Sequence, residues 1–436
     1  MPLARPLRNT EQHGIAMGYR EEDLALGGNI LVRKMELLAP AGNREKAEVA
    51  IAYGADAIYV GGKEYSLRAG AGNFTLPEMA SLVDYAHGLG VKVYVAVNSL
   101  LHNEELPGLP RYLESLAEMG IDAVIFADPA VYVICREAVP DLPLHMSTQA
   151  SMTNWESIRF WQEMGVRRVI LARELSLGEI TKIRQEVDLE LEAFVHGAMC
   201  VSYSGRCLLS NYMTGRDANR GQCAQACRWR YALMEQKRPG EFYPIEEDSH
   251  GTYILNSKDL NMLAHLPEMA QAGIDSLKIE GRMKSVYYVG VVVKAYRQAL
   301  DAYHANPSTY RVHPKWLDEL DKVSHRPYTT GFYFGSPGAE GQHYSTSSYI
   351  REHDFVGIIF DTPSDGRVAV RNRLRTGDVV ELITPSSPPV AFTINEMWDE
   401  MGTPLSEAHP NQEIYLELPQ EAEAFAMLRR KVTKNS

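Results

Sequence analysis

The chain is poor in cysteine, with five in 436 residues. It has no uninterrupted run of about 18 apolar residues, the length a membrane-spanning helix needs. Its opening stretch, MPLARPLRNTEQHGIAMGYREEDLALGGN, lacks the apolar core of a secretory signal. These absences argue against a helical membrane protein and lead us to expect a cytoplasmic one, in which thiols stay reduced and disulfides are rare. No G-x-G-x-x-G follows the first strand-like segment, which disfavours a doubly wound dinucleotide fold. Neither G-x-S-x-G nor H-E-x-x-H occurs, which removes two common hydrolase signatures. Positive charge is also in deficit: a formal net charge of −12 repels polyanions at long range and argues against non-specific coating of nucleic acid.

What is present is a recurring phrase. YGADAIYV (53–60), LGVKVYVAV (89–97), MGIDAVIF (119–126), MGVRRVIL (164–171) and AGIDSLKI (272–279) each place a glycine where a helix ends, followed by an apolar run suited to a buried parallel strand. ELLAPAG (36–42), LPLHMSTQA (142–150) and LELEAFVHG (189–197) supply three more strands, with helical patterns such as NREKAEVAIAY and WESIRFWQEM between strands. Eight alternating strand and helix units predict an α/β (β/α)8 barrel of the TIM type. Its strand ends would carry Asn98, Asp128, Ser147, Gln149, Arg173, Glu174, His196, Glu280 and Arg282 to one face, where barrel active sites sit. Each alone reads as a satisfied strand-end polar group rather than a catalyst; together they make a polar mouth.

Four of the cysteines crowd into one stretch, Cys200-x6-Cys207-x15-Cys223-x3-Cys227. The stretch falls in a long insertion after the seventh strand, at about residues 198–255. A reducing compartment disfavours a disulfide staple, leaving zinc or an iron–sulfur cluster. Only the second pair has the short spacing of a zinc knuckle, so the wider first pair leans towards the larger cluster while leaving both open. A rival arrangement makes Cys200 a nucleophile activated by His196, four residues upstream. Cys135, on a helical pattern, reads as core. Between Cys200 and Arg230 lie five arginines (Arg206, Arg216, Arg220, Arg228, Arg230) and one acid, Asp217; this is a solvated basic face or a docking patch for phosphate.

After residue 300 the pattern turns to short strands separated by turn residues. The expected organisation is a disordered extension over 1–34, the barrel over 35–305, a connector over 306–349 and a small β-domain over 350–436. The extension could equally reflect translation starting upstream of Met35.

Glu192-x-Phe194-x-x-Gly197-Ala198-Met199-Cys200 and Gly205-Arg206-Cys207-Leu208-Leu209-Ser210 resemble the signature of the family historically called peptidase U32. ELLAPAG, YSLRAGAGNF, NSKDL (256–260) and SLKIEGRMKS (276–285) add to the resemblance, which runs from about Met35 to the C-terminus. The spacing GQCAQACRW and the β-domain after it look most like the tRNA-hydroxylating branch of that family. The resemblance implies a [4Fe-4S] cluster on Cys200, Cys207, Cys223 and Cys227. It also implies prephenate-dependent hydroxylation of the wobble uridine 34 of tRNA to 5-hydroxyuridine. One departure is Pro327 in HRPYTTGF, where the family pattern has glycine.

Hydroxylating C5 of uracil is oxidative, and the sequence announces no cofactor-binding or oxygen-activating motif that would supply the oxidant. Prephenate is a dicarboxylate, so its site needs cations. Lys278 and Arg282 are the first choice, with Arg68 and Arg173 as further partners. His196 and Glu280 are the catalytic candidates, His196 for proton exchange near neutral pH and Glu280 to orient a hydroxyl or pair with an arginine. Arg206, Arg228 and Arg230 are candidates to hold tRNA. The family name suggests the alternative of a collagenase-like peptidase; a non-catalytic tRNA-binding protein is the third.

Overall fold

The computed structural model describes residues 24–27, 30–67, 72–199, 214, 233–234, 242–243, 246–248, 251–253, 258–335, 349–360 and 366–432. Arg68, Cys200, Cys207, Cys223, Cys227, Arg206, Arg228 and Arg230 lie outside the described residues.

Eight parallel strands close into a barrel: β1 (Glu36–Pro40), β2 (Ala57–Gly61), β3 (Lys92–Val97), β4 (Ala123–Phe126), β5 (Leu144–Met146), β6 (Arg168–Ile170), β7 (Glu190–Ala198) and β8 (Ser276–Ile279). The ring closes because β8 pairs in parallel with both β7 and β1. The (β/α)8 reading therefore holds, and so does its local cause. Gly54, Gly90, Gly120, Gly165 and Gly273 all have positive φ, from 73° to 101°, the left-handed turn that ends a helix and that a side chain resists.

Helices alternate with the strands: α1 (Arg44–Ala52), α2 (Leu76–Gly88), α3 (Leu109–Glu118), α4 (Pro129–Ala138), α5 (Trp155–Glu163), α6 (Leu177–Glu186), α7 (Leu266–Gln271) and α8 (Val286–Ala305). Their starts are written in the sequence. Asn43, Asp128, Asn154 and Ser285 cap α1, α4, α5 and α8 through their side chains, and Thr75–Glu78 and Ser176–Glu179 form reciprocal capping boxes on α2 and α6. Each such cap satisfies backbone N–H groups that the helix itself cannot. In the stretch expected to be a disordered extension, Leu24–Gly27 pairs antiparallel with Ile30–Arg33, so that expectation is corrected at its C-terminal end.

Ionic groups fill the base of the barrel interior. Arg168 is buried and reaches Glu36 at 2.6 Å, Glu190 at 2.6 Å and Glu192 at 3.1 Å. Glu192, fully buried, also accepts from Lys278 Nζ at 2.7 Å. Burial alone would raise the Glu36 carboxyl, but the Arg168 guanidinium and the Tyr94 hydroxyl hold it down at about 2. Three carboxylates thus share two buried cations, with Lys92 at 3.8 Å from Glu36 as a third, exposed one.

The C-terminal residues form an eight-stranded antiparallel sheet that includes His353–Ile358, Arg367–Val370, Val379–Ile383, Glu413–Leu416 and Met427–Lys431. It has its own apolar core, around Val356, Val368, Leu382, Ile414 and Leu428. It is also locked to the barrel. Tyr53 donates to the carbonyls of Ile383 and Phe425, Lys294 donates to those of Thr384 and Ser387, and Tyr287 stacks on Phe355. Arg429 forks onto Glu319 at 2.6 and 2.8 Å, in helix α9 (Pro314–Asp321) of the connector. No described helix is long and apolar enough to cross a membrane.

Candidate active site at the barrel mouth

The C-terminal ends of β6, β7 and β8 gather most of the charged candidates. Arg173, just after β6, meets Glu280, just after β8, at 3.2 Å. The Arg173 guanidinium lies over the Phe194 ring of β7, 3.8 Å from its centroid. Lys278 stands below them, its ammonium 4.4 Å from the Tyr59 ring centre and 5.6 Å from that of Phe194. Its ion pair with Glu192 ties it to the ionic base. Lys278 therefore forms the floor of the mouth, and the reading of it as a first-choice clamp for substrate carboxylate is revised accordingly.

Arg282 reaches the opposite side. Its guanidinium donates to Ser66 Oγ at 3.2 Å and to Asn73 Oδ1, so the loop after β2 and the loop after β8 meet on one side chain. Gly61 ends β2 without a side chain for a steric reason: a Cβ there would stand 2.4 Å from Arg282 Nη2 and 2.5 Å from Ser66 Oγ. Tyr65 (φ 58°) and Asn73 (φ 44°), in the same connection, hold left-handed backbone, a conformation that surrounding contacts must enforce.

His196 corrects an expectation. The ring is buried among Tyr288 and Tyr296 of α8 and Tyr328, with centroids 5.4 to 6.0 Å away. Burial pushes its pKa down to about 3, helped by the positive charges of Lys284 and His325. It is neutral at pH 7 and does not exchange protons near neutrality. The next residue, Gly197 (φ 104°), lets β7 pass close to β8: a Cβ on it would be 2.4 Å from the Glu280 carbonyl oxygen.

Among the other strand-end residues, Asn98 accepts from Leu67 N, Asp128 caps α4 while accepting from Leu101 N, and Ser147 caps the turn that follows β5. These are structural roles. Glu174 differs, because partial burial raises its carboxyl. Cys135 is a buried free thiol whose pKa burial lifts to about 11, so it stays a neutral core group. No cluster of metal-ligating side chains occurs among the described residues.

The cysteine-bearing segment is rooted at this mouth at both ends. It departs after β7, and the chain re-enters through Asp259–Asn261, which pairs antiparallel with β7: Ala198 opposite Asp259, Gly197 opposite Leu260, His196 opposite Asn261. Tyr328–Thr329 of the connector adds to the same edge. Pro327 contributes its carbonyl, which accepts from Asp259 N at 3.0 Å. That bond needs no N–H from residue 327, so proline serves there.

Residues 42–343 match the model of peptidase family U32, and residues 351–429 match that of the peptidase family U32 C-terminal domain. The chain belongs to peptidase family U32. It is 43% identical over 408 residues to tRNA hydroxylation protein P1 of Bacillus subtilis, covering 93% of this chain and 96% of the relative. To tRNA hydroxylation protein P of Escherichia coli it is 39% identical over 442 residues, covering 91% and 97%. It is also 38% identical over 357 residues to the 23S rRNA 5-hydroxycytidine C2501 synthase of Escherichia coli, covering 80% of this chain and 52% of that one.

The ionic base escaped the reading of the sequence. The signal was there as charged residues inside apolar strand runs: Glu36, Arg168, Glu190, Glu192 and Lys278. In a strand, alternate side chains share a face, so Glu190 and Glu192 enter the barrel together. Their partners lie 22 to 132 residues away in the chain, which no local pattern reveals.

Proposed function

We propose that this U32-family protein is an RNA-hydroxylating enzyme of the tRNA class, which converts uridine 34 to 5-hydroxyuridine in a prephenate-dependent reaction. The observation that carries this reading is likeness to tRNA hydroxylation proteins over more than nine-tenths of the chain. The rRNA 5-hydroxycytidine synthase among the relatives hydroxylates the same position of a pyrimidine ring, C5, on a different RNA.

The thiols fit the proposed cluster by their chemistry. Cys200, Cys207, Cys223 and Cys227 make a set of four in a segment whose two ends meet at the barrel mouth, and four thiolates are what a [4Fe-4S] cluster needs. When bound, the cluster would supply one-electron chemistry beside the substrate. Arg282 and Arg173 orient the anionic co-substrate, Glu280 holds Arg173 in place, and Lys278 and Phe194 close the floor against water. Arg206, Arg228 and Arg230 contact the RNA backbone, a local patch that an acidic protein requires.

The peptidase alternative loses its clearest arrangement. A histidine with a pKa of about 3, excluded from solvent, is a poor acceptor for a thiol proton, which weighs against activation of Cys200 by His196.

The test begins with anaerobic purification: about four irons and four sulfides per chain are expected, and colourless protein with stoichiometric zinc overturns the cluster. In a strain lacking this activity, the wild-type gene should restore 5-hydroxyuridine-derived tRNA modification, and Cys200→Ala, Cys207→Ala, Cys223→Ala or Cys227→Ala should not. Restoration in cells unable to make prephenate removes the donor assignment. Charge reversal at Arg228 and Arg230 should weaken tRNA binding and its salt dependence while leaving iron content alone.

A further inference from the structure

The C-terminal domain meets the rim of the mouth through an ion pair, and a run of arginines continues from it. Arg371 donates to Glu45 at 2.6 Å, in the first turn of α1, which starts at the mouth because α1 follows β1. The run is RVAVRNRLRTG (367–377), four arginines with no acid in a chain of net charge −12. Leu374–Arg375 pairs antiparallel with Glu407–Ala408 and sets Arg375 opposite Glu407. Glu407 is then shared: Arg375 Nε lies 2.7 Å from it, His409 Nε2 3.6 Å and Arg373 Nε 3.9 Å, and these three side chains are 52%, 62% and 53% exposed. The next carboxylate in the chain, Asp378, accepts from Arg430 and from the Arg375 backbone N–H. Among the described residues, two exposed arginines thus stand on one carboxylate. Arg429, buried where the domain meets the barrel, has the reverse ratio, one arginine on Glu319 and Glu381. Burial demands that a cation be neutralised, whereas an exposed surplus is solvated and can be met by phosphate.

We propose that Arg373 and Arg375 contact the phosphate backbone of the RNA whose base enters the mouth, so that the C-terminal domain is part of the RNA-binding surface. The inference rests on the reading of the protein as an RNA-hydroxylating enzyme, and it gives the C-terminal domain a task in that reaction. The form of the edge selects a polyanion. Arg371, Arg373 and Arg375 are alternate residues, with neighbouring Cα atoms no more than about 7 Å apart, and they lead away from the rim in a row. A small anion is held by donors that converge on one point, whereas the successive charges of a nucleic-acid strand meet a row. Glu407 accepts from Arg375 and so fixes its direction. The Arg373 contact with the same carboxylate, at 3.9 Å, is beyond hydrogen-bond reach, which leaves its guanidinium fork to face phosphate oxygens.

Filter binding of an unmodified tRNA transcript to the full-length protein over a range of salt concentrations tests this. Arg373→Gln/Arg375→Gln should bind about tenfold or more weakly near physiological salt, and the slope of log affinity against log salt should flatten by about two, one for each lost phosphate contact. Glu407→Gln, which removes the shared carboxylate, should bind more tightly than wild type. Arg159→Gln/Arg167→Gln makes the same change in net charge on α5 and at the base of the barrel, and screening over that distance should keep it within about twofold of wild type. Equal losses in the two double variants, a loss in Arg373→Gln/Arg375→Gln with an unchanged salt slope, or no tighter binding by Glu407→Gln overturns the contact. If Arg373→Gln/Arg375→Gln binds the transcript and restores tRNA modification as well as wild type does, the contact falls and the enzyme reading stands. If wild type neither binds tRNA nor restores modification, the enzyme reading falls and takes the contact with it.

Discussion

At the base of the barrel Arg168 is divided among three carboxylates and Lys278 closes on one of them, whereas at the mouth Lys46 ends on a carbonyl oxygen and Arg282 donates to a hydroxyl and a side-chain amide. Both ends are rich in charge, and they use it differently. Carboxylates beneath the floor neutralise their cations within the protein, so the charge there sets the register of the strands. At the rim, neutral oxygens aim the Lys46 and Arg282 side chains, and a carboxylate, Glu280, holds Arg173. This accords with the division seen across barrels of this type, in which the N-terminal face stabilises and the C-terminal face reacts.

The sharpest way to break the comparison is at Arg168. Arg168→Met leaves buried Glu192 and the neighbouring Glu36 without their shared cation, and losing one partner of a buried ion pair costs about 3–5 kcal/mol. Chemical denaturation should report a loss of that size. A loss below about 1 kcal/mol, the scale of exposed pairs, would falsify the structural role of the base.

At the mouth the expected sign pattern reverses. Arg282→Gln should abolish tRNA hydroxylation in complemented cells while the protein still accumulates and melts cooperatively. Gly61→Ala should reproduce part of that defect, because the new methyl displaces the guanidinium from Ser66 and Asn73. Full modification in the Arg282→Gln strain would show that the mouth does not use this arginine.

Acid should find a third difference. A histidine held neutral in the fold, with its pKa near 3 against an ordinary 6.5, binds fewer protons than the unfolded chain between those values. Its contribution is therefore complete above about pH 6.5 and is lost progressively as pH falls towards 3. His145, buried beside Arg168, acts in the same direction. The Glu36 carboxyl, held at about 2 against an ordinary 4.5, adds its loss only below about pH 4.5. Urea midpoints measured from pH 7 to pH 5 should fall, and His196→Gln should flatten that slope. An unchanged slope would move the titration to His145.

The smallest effect belongs to Lys92. It sits 3.8 Å from Glu36 but is more than half exposed, so Lys92→Met should change stability by about 1 kcal/mol or less. A large loss there would blur the distinction between the buried and exposed cations of the base.

The barrel was legible because its signals are local. A glycine that ends a helix and an apolar run that starts a buried strand are both written within ten residues, and eight such units leave few ways to close. The candidate site was legible only in part. SLKIEGR announced cations at the end of β8, but Lys278 and Arg282, four residues apart, face different fates. Lys278 descends to Glu192, and Arg282 crosses to the loop after β2. His196 lies four residues before a cysteine in the sequence, which suggested proton transfer. In the fold, three tyrosines close over its ring, and two of them come from a helix about 90 to 100 residues further on.

The sequence by itself determined the parallel barrel, the helix caps, the left-handed glycine joints and the gathering of four thiols into one segment, because each depends on neighbours in the chain. Only the tertiary structure decided which charges are neutralised. Whether a lysine, an arginine or a histidine keeps its charge and faces solvent depends on carboxylates and rings brought from other strands. At Lys46 that decision placed an ammonium from the first helix against the last strand's loop, 236 residues away, through ring closure.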